Sequence, residues 1–576
     1  MVGLSALSYP LSWLPIAWAH FRYDCTLPWP EVVLAAVSLI SIGLFLRATG
    51  RCETEEAGVT LAMPYSILLP LLAVMSAAVV SIRFSDHPYF GLGFVPRLAG
   101  NLGIFLLAVR APRERLPEFC RWWLIMAVVV AVNGLLRIGF EPEVLSTFGN
   151  RNFLGVYLAA SVVVGVAIGE TWSRLGCLVL LGAMLPCASR GAWLALGAVA
   201  VMWFLAFGKG FLRRWSVRVL VVLLMLVGMG WSSRPYVLRQ WDTDVRPMIW
   251  RATLHMVAAR PFLGHGLGSY VVEYPKYRLP GYFLRPKSTN VTDHAHNELL
   301  EVAAEQGLVG LAVTLWLWAM AVSCGFRASQ QTDGMEHRAV LGILGATLVL
   351  MLHGLVDVDL RYLPNQSLLW WLMGLLVGAG AAPVRWRRVT IRSKPARWCL
   401  AGICLALGIW IAVAAVSRPV AADLQDRQAR IAEERGDLAG AAQHAWEALR
   451  LQPFRLSTRY LLAGVLSRQV TPAAREGAIQ ECQRIEELAP DYADVTYNLG
   501  QLHFAVGRTA EALPYLRRAV EINPYQAERR MALAAALHQA GQDDDAMQQL
   551  DRILQLQPDN QEAQDLRKRM SPGHHP

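Results

Sequence analysis

The stretch "TDHAHNELLEVAAEQGLVG", residues 292–310, leaves a polar loop and enters an apolar run that continues to about residue 325. Reading it as the mouth of a membrane-crossing helix decides the fold, because the same transition recurs along the chain. Runs of about 18–20 apolar residues, each long enough to span a bilayer, recur between Glu31 and Ser417. The 576-residue chain is 54% hydrophobic and only 17% charged, too apolar for a soluble protein of this size. From Arg418 on, Ala, Gln, Glu, Asp and Arg dominate and no run is long enough to span. The expected fold is all-α: a polytopic membrane helical bundle over residues 1–417, followed by a soluble domain over 418–576.

Spans are predicted at 31–48, 58–82, 92–109, 120–138, 152–169, 172–188, 191–208, 215–232, 298–325, 338–358, 365–383 and 397–416. Segment 3–20, which holds Pro10 and Pro15, brings the total from 12 to 13 if it crosses. No Lys or Arg precedes Arg22, so the N-terminus reads as an uncleaved apolar segment and not a signal peptide. Basic clusters around Arg110, Arg113, Arg115 and Arg121, around Lys209, Arg213, Arg214 and Arg218, and from Arg385 to Arg397 lie between spans. They mark cytoplasmic loops, and the net charge of +10 is therefore juxtamembrane charge and not a nucleic-acid footprint. Even numbers of spans separate the clusters. The loops at 139–151, 189–190, 233–297 and 359–364 then share the outer face, and the span at 397–416 delivers the C-terminal domain to it. Nine scattered cysteines form no CxxC or Cys/His cluster, so neither a disulfide framework nor a structural metal is indicated.

The outer face collects the unusual residues: "STFGNRNFLG" (146–155), "CASRGAWLAL" (187–196), "DVRPMIWRATLHMVAARPFLGHGLGSY" (244–270), the opening stretch, and "HGLVDVDLR" (353–361). Five stretches rich in Arg, His, Asn and Gly at one depth point to one site. Thr292, Asp293 and Asn297 are N-cap types, so a helix is expected to begin there. A helix N-terminus disfavours a charged imidazole, and a neutral imidazole is a candidate general base. His294 and His296 are two apart and cannot share a helix face. A metal site needs further ligands at fixed spacing, and only Glu298 is near in sequence. Arg151, Arg190, Arg246 and Arg251 supply permanent charges that fork onto phosphate oxygens, suiting a diphosphate at headgroup level. The glycines of "FLGHGLGSY" read as places where backbone approaches a ligand, although no Walker Lys-Ser/Thr follows.

The C-terminal domain repeats. "YNLGQLHFAVGRTAEALPYLRRAVEINP" (497–524) aligns with "MALAAALHQAGQDDDAMQQLDRILQLQP" (531–558), with Gly507/Gly541, Ala512/Ala546 and Pro524/Pro558 all offset by 34. That is the tetratricopeptide period. "ERGDLAGAAQHAWEALRLQP" (434–453) is an earlier copy, and a divergent unit lies at about 455–490. Such helix pairs stack into an α-solenoid with a concave surface suited to a protein partner.

With these motifs in view, residues 140–380 resemble the O-antigen ligase and polymerase superfamily of membrane glycosyltransferases. The most specific element is His-Asn, nine residues, then Gly-x-x-Gly: His296, Asn297, Gly307 and Gly310. "SRGAWLAL" resembles the family's Arg-x-x-x-Leu element through Arg190 and Leu194, and "RPMIWRATLHMVAARPFLGHGLGSY" resembles its outer-loop segment. "GNRNFLG" and "HGLVDVD" are looser matches. The resemblance implies a GT-C-like helical fold with a large periplasmic loop, here about 233–297, in the bacterial cytoplasmic membrane. It implies glycan transfer from an undecaprenyl-diphosphate carrier to an acceptor hydroxyl, with no metal and no cofactor. His296 would be the general base, with Arg190 and Arg246 on the diphosphate and with Arg151, Arg251, His294 and Asn297 in support. Displacement from the face opposite the diphosphate would invert the anomeric centre. The added repeats leave the acceptor open between core glycolipid, growing polysaccharide and protein, so ligase, polymerase and protein O-glycosylation activities all remain. The non-enzyme alternative is a transporter or assembly scaffold, which would place ionisable groups near mid-bilayer; here span centres are nearly bare.

Overall fold

The computed structural model describes residues 59–137, 150–203, 244–285, 288–289, 291–380, 386–391, 393–413 and 417–570. The spans expected at 31–48 and 215–232 and the segment 3–20 lie outside these residues. Contacts divide the chain into two compact units. The first takes the described parts of Met1–Val237, Arg260–Gly268 and His296–Val420; the second takes Leu238–Ala259, Ser269–Ala295 and Ala421–Pro576.

The first unit is a helical bundle: α1 (Tyr65–Arg83), α2 (Phe94–Ala108), α3 (Leu116–Arg137), α4 (Arg151–Ile168), α5 (Thr171–Cys187) and α6 (Arg190–Trp203). Then come α8 (Glu298–Gln330), α9 (Gly334–His353), α10 (Leu363–Gly380) and α11 (Lys394–Ala412), while α7 (Arg246–Ala259) belongs to the second unit. Among the described residues, five helical stretches are long and apolar enough to cross a membrane: Pro88–Ala108, Arg113–Leu136, Arg151–Ile168, Glu298–Gln330 and Gly334–His353. Among the described residues the all-α architecture has one exception. Residues Val59–Pro64 (β1), expected to open a span, instead pair antiparallel with Trp386–Ile391 (β2), from Val59↔Ile391 to Pro64↔Trp386. The β-branched residues Val59, Thr60, Val389, Thr390 and Ile391 suit a strand.

Helix α4 is the axis of the bundle and is buried along nearly its whole length. Small residues let neighbours approach. A Cβ on Gly345 would lie 2.4 Å from Val163 Cγ1, and one on Gly378 would lie 2.4 Å from the Val109 carbonyl oxygen. Close approach through small residues is how helices pack where lipid offers no hydrophobic drive between them. Polar contacts add register: Asn101 Nδ2 donates to Gln366 Oε1 at 3.0 Å, and Ser367 Oγ donates to Asn101 Oδ1 at 2.6 Å.

The second unit holds α7, the described residues of 269–295, and the repeats α12 (Arg418–Glu434), α13 (Leu438–Leu451), α14 (Leu456–Arg468), α15 (Pro472–Leu488), α16 (Val495–Ala505), α17 (Thr509–Ile522), α18 (Ala527–Gln539), α19 (Asp543–Leu556) and α20 (Gln561–Met570). Helices pair in the expected 34-residue rhythm. Ala512 and Ala546, and Leu516 and Leu550, are fully buried at equivalent positions. Gly436, Gly507 and Gly541 turn the chain between paired helices at φ of +79°, +80° and +73°. Thr471 caps α15 and Asp437 caps α13 by accepting from backbone amides.

Candidate functional site

Asn297 is the N-cap of α8: its side-chain oxygen accepts from the Leu300 amide at 3.0 Å. The residue before it, His296, has φ of +52°, a left-handed backbone rare outside glycine. Its side chain is about one-third exposed, at 34%, and its Nδ1 points inward to Asp357 Oδ1 at 3.6 Å. Asp357 is buried and doubly held. Asn152 Nδ2 donates to its Oδ2 at 2.6 Å, and the Val358 amide donates to its Oδ1 at 2.8 Å. Asn152 is itself set by the N-cap of α4, because Asn150 accepts from the Asn152 amide at 2.8 Å. Residues separated by 61 and 205 positions from Asp357 thus meet at one carboxylate. A carboxylate facing one ring nitrogen leaves Nε2 as the atom available for proton transfer.

The turn bearing Asp357 is anchored below. His353 Nδ1 and Asp359 Oδ1 pair at 2.7 Å with both side chains fully buried. Gly191, next to Arg190, packs on this ring: a Cβ there would lie 3.0 Å from His353 Nε2. Beside the turn, buried Arg361 is gripped by three carboxylates of α8: Glu298 at 3.1 Å, Glu301 at 3.5 Å and Glu305 at 2.7 Å. Removing one partner from such a buried network typically costs about 3–5 kcal/mol. Glu298, Arg361, Arg97 and Gln306 also line a cleft whose apolar walls include Leu98, Leu317, Trp318 and Met373.

The motif glycines serve the protein's own backbone. Gly307 breaks α8 at φ +68°, ψ −173°. Pro261–Gly266 docks into the break: Leu308 N donates to the Pro261 carbonyl at 2.7 Å, His265 N to Ala304 at 2.9 Å and Gly266 N to Glu305 at 2.7 Å. A Cβ on Gly307 would sit 2.1 Å from the Phe262 carbonyl oxygen, and one on Gly264 would sit 2.4 Å from the Glu305 carbonyl carbon. Gly310 sits one turn on from Gln306, whose Cβ a Gly310 Cβ would approach to 2.3 Å. The close approach expected for a ligand at "FLGHGLG" is made to the α8 backbone at Gly264, and to Ser85 and Phe94 at Gly266 and Gly268.

His296, Asn297, Arg151, Arg190, Gly307 and Gly310 all fall in the first unit, whereas Arg246, Arg251 and His294 belong to the second. Arg151 opens α4 and lies near enough to act electrostatically on Cys187. Arg190 is exposed at the start of α6, after Ala188 in the left-handed region and Ser189 as cap. Arg246 opens α7, its amide donating to Asp244 at 3.0 Å, and Arg251 is exposed on the same helix. Sequence reasoning missed Asp357, Asn152 and Arg361. For Arg361 a signal existed, since Glu298, Glu301 and Glu305 recur on one helix face.

Residues 159–315 match the family described as O-antigen ligase, and 475–527 and 503–570 match tetratricopeptide-repeat families. The chain is 28% identical over 149 residues to the O-antigen ligase of Pseudomonas aeruginosa, covering 26% of this chain and 33% of that protein. It is 34% identical over 89 residues to the "Protein CTR9 homolog" of Arabidopsis thaliana, covering 15% of this chain and 8% of that protein. The matches thus span a third or less of either relative. Solved structures similar to part of the chain include MamA (19% identity, 26% of this chain, 86% of that chain, TM-score 0.23). Another is YrrB, described as a TPR protein with an unusual peptide-binding site (19%, 30%, 86%, TM-score 0.24). A third is Pseudomonas aeruginosa pilF (20%, 31%, 77%, TM-score 0.24). The chain therefore joins a segment similar to O-antigen ligases to tetratricopeptide repeats, as the motifs imply. Its apolar helices make it a multi-pass membrane protein, one segment of which is similar to the O-antigen ligase family.

Proposed function

We propose that this chain is an inverting glycosyltransferase, first of all an O-antigen ligase, in two domains: a membrane transferase over 1–417 and a repeat domain over 418–576. It transfers a glycan from an undecaprenyl-diphosphate carrier to an acceptor hydroxyl at the outer face of the cytoplasmic membrane, without metal or cofactor. The observation that carries this reading is His296, strained at a helix entrance, with Nδ1 toward the buried Asp357.

In the step proposed, His296 Nε2 takes the proton of the acceptor hydroxyl while its oxygen attacks the anomeric carbon. The bond from that carbon to the diphosphate oxygen breaks, and the electron pair leaves with the lipid diphosphate. Asp357 holds the ring and stabilises the imidazolium that forms. The His296–Asp357 distance of 3.6 Å shortens as charge develops on the ring. Arg190 and Arg246 bind the diphosphate, with Arg151 and Arg251 in support, neutralising charge where it grows. The apolar walls of the cleft beside Arg361 suit a polyprenyl chain. Packing of outer-loop residues with the repeats in one compact unit supports a periplasmic repeat domain, where the repeats offer a surface to a protein partner. The acceptor is a glycolipid, a polysaccharide or a protein.

The test is expression in cells lacking their own ligase, with wild type and with His296→Asn, a residue that tolerates the left-handed backbone. Glycan transfer should fall by roughly 10²–10⁴-fold, the contribution of a general base. Undiminished transfer in a normally inserted variant overturns the assignment.

A further inference from the structure

Four non-glycine residues among those described have a left-handed backbone: Ala188, His296, Asp491 and Ala493. The first two belong to the site above. The other two share one turn of the repeat array, "APDYAD" (489–494), between α15 and α16. The equivalent turn 34 residues on, "NPYQAE" (523–528), has no left-handed residue, and its helix α18 starts at Ala527. By that period α16 should start at 493, yet it starts at Val495. Copies of one repeat ought to turn alike, so the departure needs a local cause. Non-glycine strain of this kind persists only where the surroundings over-determine it.

The outer loop shares a compact unit with this turn: by their contacts, residues 269–295 cluster with the repeats and not with the membrane helices. The guanidinium of Arg278 lies over three rings of its own loop, at 5.6 Å from Tyr274, 5.3 Å from Tyr282 and 5.1 Å from Phe283. Tyr274 and Tyr282 are fully buried. Burial lowers the Arg278 pKa from its ordinary value, against the opposing pull of Tyr274, Tyr282 and Asp491 of the array; Arg529 of the array adds to the lowering. From the other side, burial pushes the Tyr492 hydroxyl up to about 12, helped by Asp293 of the loop. Arg529 is itself buried, paired with Asp494, and lies 5.8 Å over Tyr497. Arg518 ties the buried Asp491 into the array at 2.8 Å. The far end of the loop is fixed as well: Trp250 Nε1 donates to the Ala295 carbonyl at 2.9 Å, and the next residue in the chain is His296.

We propose that the tetratricopeptide array works in cis as a clasp on the chain's own outer loop, the 489–494 turn and the Arg529 face gripping residues 270–295 through Arg278. The occupant of this part of the array is a segment of the same chain. The clasp fixes the stretch that runs into His296, so Arg278 and Asp491 are positioning residues. Their effect on transfer rests on the function proposed above, whereas the grip itself does not.

Hydrogen–deuterium exchange on the full-length protein in detergent, without substrate, tests the grip separately from the chemistry. Arg278→Ala should speed exchange of loop amides 270–285 at least tenfold. By reciprocity it should also speed exchange of the 489–494 turn, while α18 and α19 keep wild-type rates as a fold control. Asp491→Ala should loosen the same loop amides, and the double variant should loosen them no further than the singles. A turn that ignores Arg278→Ala, or loop effects that multiply in the double variant, overturns the clasp. Arg278→Ala leaves the array sequence intact, so the result stands even if Asp491→Ala fails to fold.

Discussion

Glycine turns both halves of this molecule, but for different reasons. In the repeats, Gly436, Gly507 and Gly541 have φ near +80°, and a Cβ at any of them would meet nothing within 4 Å. They supply a backbone angle and no more. In the membrane unit, Gly264 and Gly307 combine a positive φ with backbone 2.1–2.6 Å from where a Cβ would stand. There glycine supplies both angle and space, because two segments interlock carbonyl to amide at the break in α8. One letter in the sequence thus stands for a cheap turn in one region and an irreplaceable joint in the other.

The joint should therefore be the most fragile point of the chain. Gly307→Ala puts a methyl group 2.1 Å from the Phe262 oxygen, at φ/ψ values that are essentially glycine-only. Strain and overpacking together should cost about 4 kcal/mol or more. The expected result is loss of monodisperse, membrane-inserted protein, read by size exclusion in detergent. A variant that elutes and melts like wild type breaks the distinction between the two kinds of glycine.

The repeats were legible because a solenoid writes its geometry into a period: Gly507 and Gly541, and Ala512 and Ala546, recur at one offset and bury alike. The bundle was legible as apolar runs, and Asn297 as a cap, because both are local. What the sequence concealed is non-local. Asn152, on α4, and His296, just before α8, reach Asp357 from segments remote in sequence, and no spacing rule links them. The β1–β2 ladder was hidden for a related reason: Val59–Pro64 is apolar enough to pass for the start of a span until its distant partner is known.

The same contrast separates two histidines. His503 of the repeats has a carboxylate closer than His296 does, with Nδ1 3.0 Å from Glu511 Oε2 and its ring stacked on Tyr515 at 5.7 Å. Yet it is buried within a regular helix, whereas His296 is strained and partly exposed. A His–carboxylate pair is therefore no site by itself. Asp357→Asn keeps the shape but removes the charge facing His296. It should lower kcat about 100-fold, or about 2.7 kcal/mol, with KM little changed. Glu511→Gln should leave transfer at the wild-type rate. Equal losses in both would mean that each carboxylate acts through stability alone, and the pairing at His296 would lose its meaning.

The smallest effect expected is the most discriminating for the comparison of glycines. Gly507→Ala asks a residue with a Cβ to hold φ +80° in open space. The left-handed conformation costs such a residue about 1–2 kcal/mol, and no clash adds to it. The repeat should stay folded, with a melting temperature lowered by a few degrees in the full-length protein and transfer unaltered. A Gly507→Asn variant should recover part of the loss, because Asn tolerates the left-handed region. If Gly507→Ala instead abolished folding, the turn would be carrying packing that its empty surroundings do not contain, and the repeats would belong to the same class as the joint at Gly307.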